Sequence, residues 1–173
     1  MELVLARDLS ELREKYIEII EKTPDISRHA RWEYGKHPGD PLLQAYMDND
    51  EMYLLMDGPE IAGVMAVTMY QGEDYHDIDW SRELEDDQVA SVHILGVCPG
   101  HTGKHLGRRL VQEAIALARE KGKKALRLDT LDSNKPAQHM YESLGFCLRG
   151  KANRYAENTG WTGFLYYEYA LED

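Results

Sequence analysis

The sequence predicts an α/β fold, a mixed central sheet of six to seven strands flanked by about four helices. Three observations lead to it. A strand, a long amphipathic helix and another strand succeed one another across residues 89–130, and a crossover of that kind makes neighbouring strands parallel. Hairpins near residues 52–70 and 147–171 make others antiparallel. No repeat, low-complexity tract or Pro/Gly/Ser linker divides the 173 residues, so 1–173 reads as a single domain around one core.

The elements follow in order. Residues 2–6 read as a short strand, and Ser10 as the cap of a helix running through Leu12, Tyr16, Ile19 and Ile20. A second helix is expected from about Asp25, carrying Trp32 and Tyr34, with the turn signal HPGDP at its end. Residues 52–56 and 61–70, joined by Asp57-Gly58-Pro59, form a hairpin rich in β-formers. Residues 71–88 form a polar connection with eight carboxylates against one arginine. Residues 89–97 form an apolar strand that stops at Pro99. A helix is expected over 103–121, where Leu106, Leu110, Ala114 and Leu117 share a face and Gly122 takes the C′ position. A strand over 125–130, a helix over 136–144 stopped by Gly145, and a strand over 147–155 come next. Residues 164–171 close the domain with Leu165, Tyr167, Tyr169 and Leu171 on one face.

The formal net charge of -11 argues against a general binder of nucleic acid or of an anionic membrane, and suits a cationic partner as well as simple solubility. Cys98 and Cys147 lack paired spacing, which indicates neither a disulfide framework nor a metal site. The opening MELVLARDL has no basic region followed by an apolar one, and no run reaches the length of a membrane span. A cytoplasmic location is the default expectation.

The most informative stretch is ILGVCPGHTGKHLGRRL, residues 94–110. A buried strand runs into a loop bearing Gly100, Gly103 and Gly107 that opens a long helix. Glycines let backbone approach a bound group, and the free amides and dipole at a helix start favour phosphate. Between His101 and Lys124 seven Lys or Arg oppose two glutamates, although the chain is acidic overall. A P-loop is excluded, because Cys98 stands at its first glycine and His105 at its Ser/Thr. The Rossmann fingerprint is absent as well.

This stretch resembles motif A of the GCN5-related N-acetyltransferase (GNAT) family, in which a strand ending Leu-x-Val-x-Pro precedes a glycine-rich helix entrance. Leu95, Val97 and Pro99 match; Thr102 and His105 depart, replacing a Gln or Arg and a glycine. Residues 134–146, NKPAQHMYESLGF, resemble motif B through Asn134, Ala137, Tyr141, Gly145 and Phe146. The resemblance implies the GNAT architecture, acetyl-CoA as cosubstrate and acetyl transfer to an amine in a ternary complex, without a metal. It places the coenzyme on the backbone of Leu95, Gly96 and Val97 and on Thr102, Gly103, Lys104, His105, Leu106, Gly107 and Arg108. Asn134 holds the pantetheine arm in this reading, and Tyr141 protonates the leaving sulfur. Gly96 permits a bulge in the strand.

For the base, His93 lies two residues before Leu95, on the same face of a regular strand, and the string is similar to the arylalkylamine acetyltransferase branch. A water chain, a carboxylate within residues 73–87 and Asp129 are alternatives. Tyr75, Asp79 and Trp80, with Asp77, Tyr155 and Trp161, combine aromatic walls and carboxylates suited to a cation. The acceptor class is then a small amine or a peptide amine. The family commonly forms homodimers, and no apolar stripe in the sequence marks one. A second reading keeps the fold as a non-catalytic acyl-CoA-binding or sensor domain. Transfer to a hydroxyl, or from a longer acyl donor, also fits the motifs.

Overall fold

The computed structural model describes residues 1–171; the last two residues of the expected 1–173 domain lie outside them. The chain runs β1 (Glu2–Leu5), α1 (Leu9–Lys22), α2 (Ile26–His29), α3 (Asp40–Asp48), β2 (Met52–Asp57), β3 (Glu60–Thr68), β4 (Val89–Val97), α4 (Leu106–Glu120), β5 (Ala125–Leu131), α5 (Lys135–Ser143), β6 (Cys147–Ala156) and β7 (Gly160–Ala170). Its strands form one mixed sheet ordered β1-β2-β3-β4-β5-β7-β6. Among the described residues only β4 and β5 pair in parallel, as the crossover through α4 requires. Apolar side chains of α4 and α5 pack on one face of the sheet, and those of α1 and α3 on the other.

Three local expectations change. Asp8 caps α1, accepting from the Glu11 amide at 3.1 Å, where Ser10 was expected to. The second helix is one turn only, closed by Arg31 at φ 57°, so Trp32 and Tyr34 lie outside it. HPGDP opens α3 instead of ending a helix, because a proline in the first turn loses no needed N–H and already has helical φ.

The feature that shapes the site is a bulge in β4. Ala66 pairs with His93 and Val64 with Gly96, so three steps on β4 oppose two on β3. The strained residue is Ile94 at φ 45°, rather than Gly96. A β-branched residue there costs on the order of 1–3 kcal/mol. The buried Tyr16 hydroxyl donates to the Ile94 carbonyl at 2.7 Å and fixes it. Gly96 serves close packing, since a Cβ there would stand 3.0 Å from Ile19.

The extra residue reverses the alternation. Ala90 and Val92 belong to the core under α4 before the bulge, and Leu95 and Val97 pack there after it. His93 turns the other way and stacks on Tyr46 of α3 with ring centres 5.8 Å apart. The shared face expected for His93 and Leu95 therefore does not exist. Beyond Ser91, paired with Arg127, β4 and β5 have no further partners in one another and a slit opens between them.

Candidate active site

A cavity of about 540 Å³ occupies this slit. Leu95, Gly96 and Val97 line it from β4, and Asn134 and Tyr141 from the α5 side. His93, His37, Asp74 and Asp129 line it as well. One space thus joins groups from both faces of the sheet.

On the α4 side the site is mostly backbone. Gly100, Gly103 and His105 have φ of 87°, 79° and 58°, which turns the chain into the start of α4. None of the amide N–H groups of residues 102–108 donates to another backbone group among the described residues. The first turn of α4 carries no acidic side chain. That is a donor array suited to a diphosphate, so the residues present fit the phosphate end of coenzyme A. His105 takes the left-handed conformation that a glycine would adopt without strain, and its imidazole is exposed. Thr102 reaches the cavity, whereas Gly103, Lys104 and His105 border solvent beyond it. The Leu106 side chain is core. Gly107 admits Met140 of α5, whose sulfur would lie 3.0 Å from an added Cβ. The Arg108 guanidinium bonds Ser143 and links α4 to α5.

Asn134 caps α5 through Oδ1, which accepts from the Ala137 amide at 3.4 Å. Its Nδ2 has no hydrogen-bond partner among the described residues, and Asn134 lines the cavity. Tyr141 is buried against Phe146 and Tyr167, and its hydroxyl has no hydrogen-bond partner among the described residues. Burial, with a smaller contribution from the Asp129 charge, pushes the pKa of that hydroxyl up. It remains a proton donor at any physiological pH.

On the other face the site is built from side chains. The Thr68 hydroxyl donates to the Tyr70 carbonyl at 2.7 Å, so its contact with His93 Nε2 at 3.3 Å needs an Nε2–H. Nδ1 is left as the basic atom. Burial depresses the His93 pKa to about 4, so the ring is neutral at pH 7 and a weak base. Burial also lowers His37. Asp129 is raised to about 6, mainly by burial and against the hydrogen bond from Tyr75.

Tyr75, Asp79 and Trp80 do not line the cavity. Tyr75 is buried and donates to Asp129 Oδ1 at 2.6 Å. The Trp80 indole donates to the Tyr75 carbonyl at 2.7 Å and covers the Arg127 guanidinium at 4.3 Å. Asp79 is exposed. Arg127 is fully buried and bonds Glu168 at 2.8 Å, Gln71 at 2.8 Å and the Arg82 carbonyl at 2.9 Å. This cluster fastens the acidic connection to the sheet and holds Asp74 at the cavity. Sequence reasoning missed His37 and Tyr46, which belong to the unexpected entry into α3 and to α3 itself. It also missed the roof, where the Asn158 amide donates to the Arg31 carbonyl at 2.8 Å and Ser133 to the His29 carbonyl at 2.9 Å.

A seven-stranded mixed sheet, splayed beside a bulged central strand and an amide-rich helix start, defines an acyl-CoA-type transferase fold. The chain matches the Acetyltransferase (GNAT) family over residues 12–146, and it belongs to that family. It is 39% identical over 64 residues to streptothricin acetyltransferase of Streptomyces lavendulae, a match spanning 37% of this chain and 34% of that protein. It is 28% identical over 96 residues to the L-amino acid N-acyltransferase MnaT of Escherichia coli K12, spanning 55% of each. The chain therefore spans about a third of the first relative's length and about half of the second's. Among solved structures it resembles a ribosomal-protein-alanine N-acetyltransferase from Brucella melitensis, with a TM-score of 0.71, 18% identity and coverage of 99% of this chain and 100% of that one. It also resembles yncA of Salmonella typhimurium, solved with its cofactor acetyl-CoA, at a TM-score of 0.70 and 19% identity, covering 100% and 95%. These likenesses establish the fold. Among the described residues no helix is long and apolar enough to cross a membrane.

Proposed function

We propose that this chain is an acetyl-CoA-dependent N-acetyltransferase acting on a primary amine of a small molecule or a peptide, as one domain. The observation that carries the reading is the single cavity in which the splayed strand, the free amide donors of Asn134 and the unpartnered Tyr141 hydroxyl converge. Acetyl-CoA, when bound, supplies the activated acetyl thioester.

The chain's own groups do the rest. The amides of residues 102–108 hold the diphosphate, and the Asn134 Nδ2 positions the pantetheine arm. Backbone of β4 beyond Ser91, released from β5, offers preorganised donors to the thioester carbonyl oxygen. Tyr141 gives its proton to the departing sulfur. An alkyl ammonium is about one part in a thousand neutral at pH 7, so the site also needs a proton acceptor on the amine side. The curated relatives named above act on streptothricin and on L-amino acids by their names, which supports an amine acceptor.

Calorimetric titration with acetyl-CoA tests the cradle, and micromolar binding is expected. Thiol release on adding primary amines tests transfer. Tyr141→Phe is expected to keep coenzyme binding and to lose about a hundredfold or more in transfer. Coenzyme binding without thiol release from any amine would instead favour the non-catalytic acyl-CoA-binding reading.

A further inference from the structure

A second cavity of about 330 Å³ opens beneath the β6–β7 hairpin, beside Arg154, Tyr155, Trp161 and Tyr166. It shares Asp74, Asp129 and Phe164 with the larger cavity, so the two spaces meet at the Asp129 carboxylate. We propose that Asp129 of β5 is the catalytic base that takes the acceptor's ammonium proton, and that the acceptor enters through this second cavity. The assignment deepens the acetyl-transfer reading and rests on it.

Position supports it. Leu126 and Leu128 point into the core under α4, and Asp129 lies on the opposite face of β5 with Arg127. It stands two residues past the last β4–β5 pair, where the slit has opened. One carboxylate oxygen is anchored by the buried Tyr75 hydroxyl at 2.6 Å, and the other has no hydrogen-bond partner among the described residues. Tyr75 is thus a positioning residue. The Tyr141 hydroxyl, from the far side of the slit, is close enough to feel the Asp129 charge.

The surroundings suit an ammonium. Asp74 adds a second negative charge where the cavities meet. Arg154 is engaged by the Asp77 carboxylate and bonds the Asp74 carbonyl at 2.6 Å, so its charge is neutralised locally. Exposed Tyr155 and Trp161 meet edge-on, with ring centres 5.9 Å apart, at the mouth. An amine carried on an apolar or aromatic body fits these walls.

The titratable groups around Asp129 are Tyr75 and Asp74 from the acidic connection, His37 from the loop before α3, and Tyr46 on α3. Tyr141 of α5, Arg154 of β6 and Tyr166 of β7 complete them. Burial and Asp74 raise the Asp129 pKa, against Tyr75, His37 and Arg154, to about 6. That narrows the gap to an alkyl ammonium by about a hundredfold relative to an ordinary aspartate. His93, held near 4, is the poorer acceptor.

In the step, one proton passes from the ammonium to Asp129. The nitrogen lone pair forms the C–N bond at the acetyl carbon, the C–S bond breaks, and the sulfur takes the Tyr141 proton. The second nitrogen proton returns to the Tyr141 oxygen through solvent, and Asp129 releases its own to solvent.

Carbon-13 NMR of labelled aspartate carboxyls tests this, with the Asp129 signal identified as the one missing from Asp129→Asn. A midpoint near 6 is expected, moving upward in Tyr75→Phe, because the lost hydrogen bond had favoured the carboxylate. Acetyl transfer to 2-phenylethylamine and 1,4-diaminobutane is expected to fall away below the same pH. That acid limb shifts upward in Tyr75→Phe. Asp129→Asn loses about a hundredfold or more with calorimetric coenzyme binding unchanged. A limb that persists in Asp129→Asn, or that His93→Gln moves and Asp129→Asn does not, overturns the assignment. Absence of acetyl-CoA binding to the unsubstituted protein overturns the acetyl-transfer reading instead.

Discussion

The two sides of the slit are built from different materials. Toward α4 the molecule offers mostly backbone: amides of one continuous loop and helix start, and the unpaired edge of β4, with Asn134 and Tyr141 the side chains that α5 brings to it. Toward α3 and the acidic connection it offers side chains from segments far apart in sequence, such as His37, Asp74 and Asp129. Backbone cradles are insensitive to side-chain identity and need only the right φ. Side-chain sites demand that each supporting segment be held in place.

The largest test of the contrast is Arg127→Ala. It strips the buried Glu168 Oε2 of its Arg127 partner, leaving the carboxylate only Ser81 and Arg149 at Oε1, and it orphans the Gln71 Oε1 and the Arg82 carbonyl. Burial pushes this carboxyl up, but Ser81 and Arg127 hold it below its ordinary value. A loss of about 3–5 kcal/mol in denaturant unfolding is expected. Residues 71–88 should become protease-sensitive while the folded protein still binds acetyl-CoA within a few-fold. Equal loss of coenzyme affinity would erase the distinction between the two sides.

Asp129→Asn is expected to act in the opposite sense on stability. A carboxyl whose native pKa is raised from 3.8 to about 6 favours folding when protonated. That contribution is present below about pH 4 and is lost as pH rises through 6. The variant should therefore be more stable than the parent above pH 6, by about 2–3 kcal/mol, with the two curves converging near pH 4. A gap independent of pH would mean that ionisation of Asp129 costs the fold nothing.

Tyr16→Phe removes the donor to the buried Ile94 carbonyl and should cost about 1–2 kcal/mol, read from the unfolding midpoint. The smallest effect belongs to His105→Gly. Relief of a left-handed residue should add about 0.5–1 kcal/mol, without weakening coenzyme binding in calorimetry. Clearly weaker binding would give the His105 imidazole a direct part in holding phosphate.

The same contrast governs what could be read in the sequence. The order of elements along the chain and the turn into α4 were legible because Gly103, Gly122, Gly145 and Pro99 punctuate them, and backbone geometry writes itself in glycine and proline. Gly122 and Gly145 indeed end their helices at φ of 70° and 100°. The acceptor side was not legible. Tyr75 and Trp80 read as walls for a cation, and they do meet charged groups, but these are Asp129 and Arg127, roughly fifty residues away in sequence. His93 was placed on the wrong face because strict alternation has no signal for an inserted residue at Ile94. HPGDP read as a stop because Pro41 marks a helix start and a turn with the same letters.

The slit has a consequence for inhibition. It is a passage through a single sheet, with the unpaired amides that open α4 at one end and a carboxylate-lined mouth at the other. A compound threaded through it, anionic at one head and cationic at the other, turns two encounters into one. Its gain depends on how closely the linker matches the passage, so a spacer one bond too short forfeits the second site altogether.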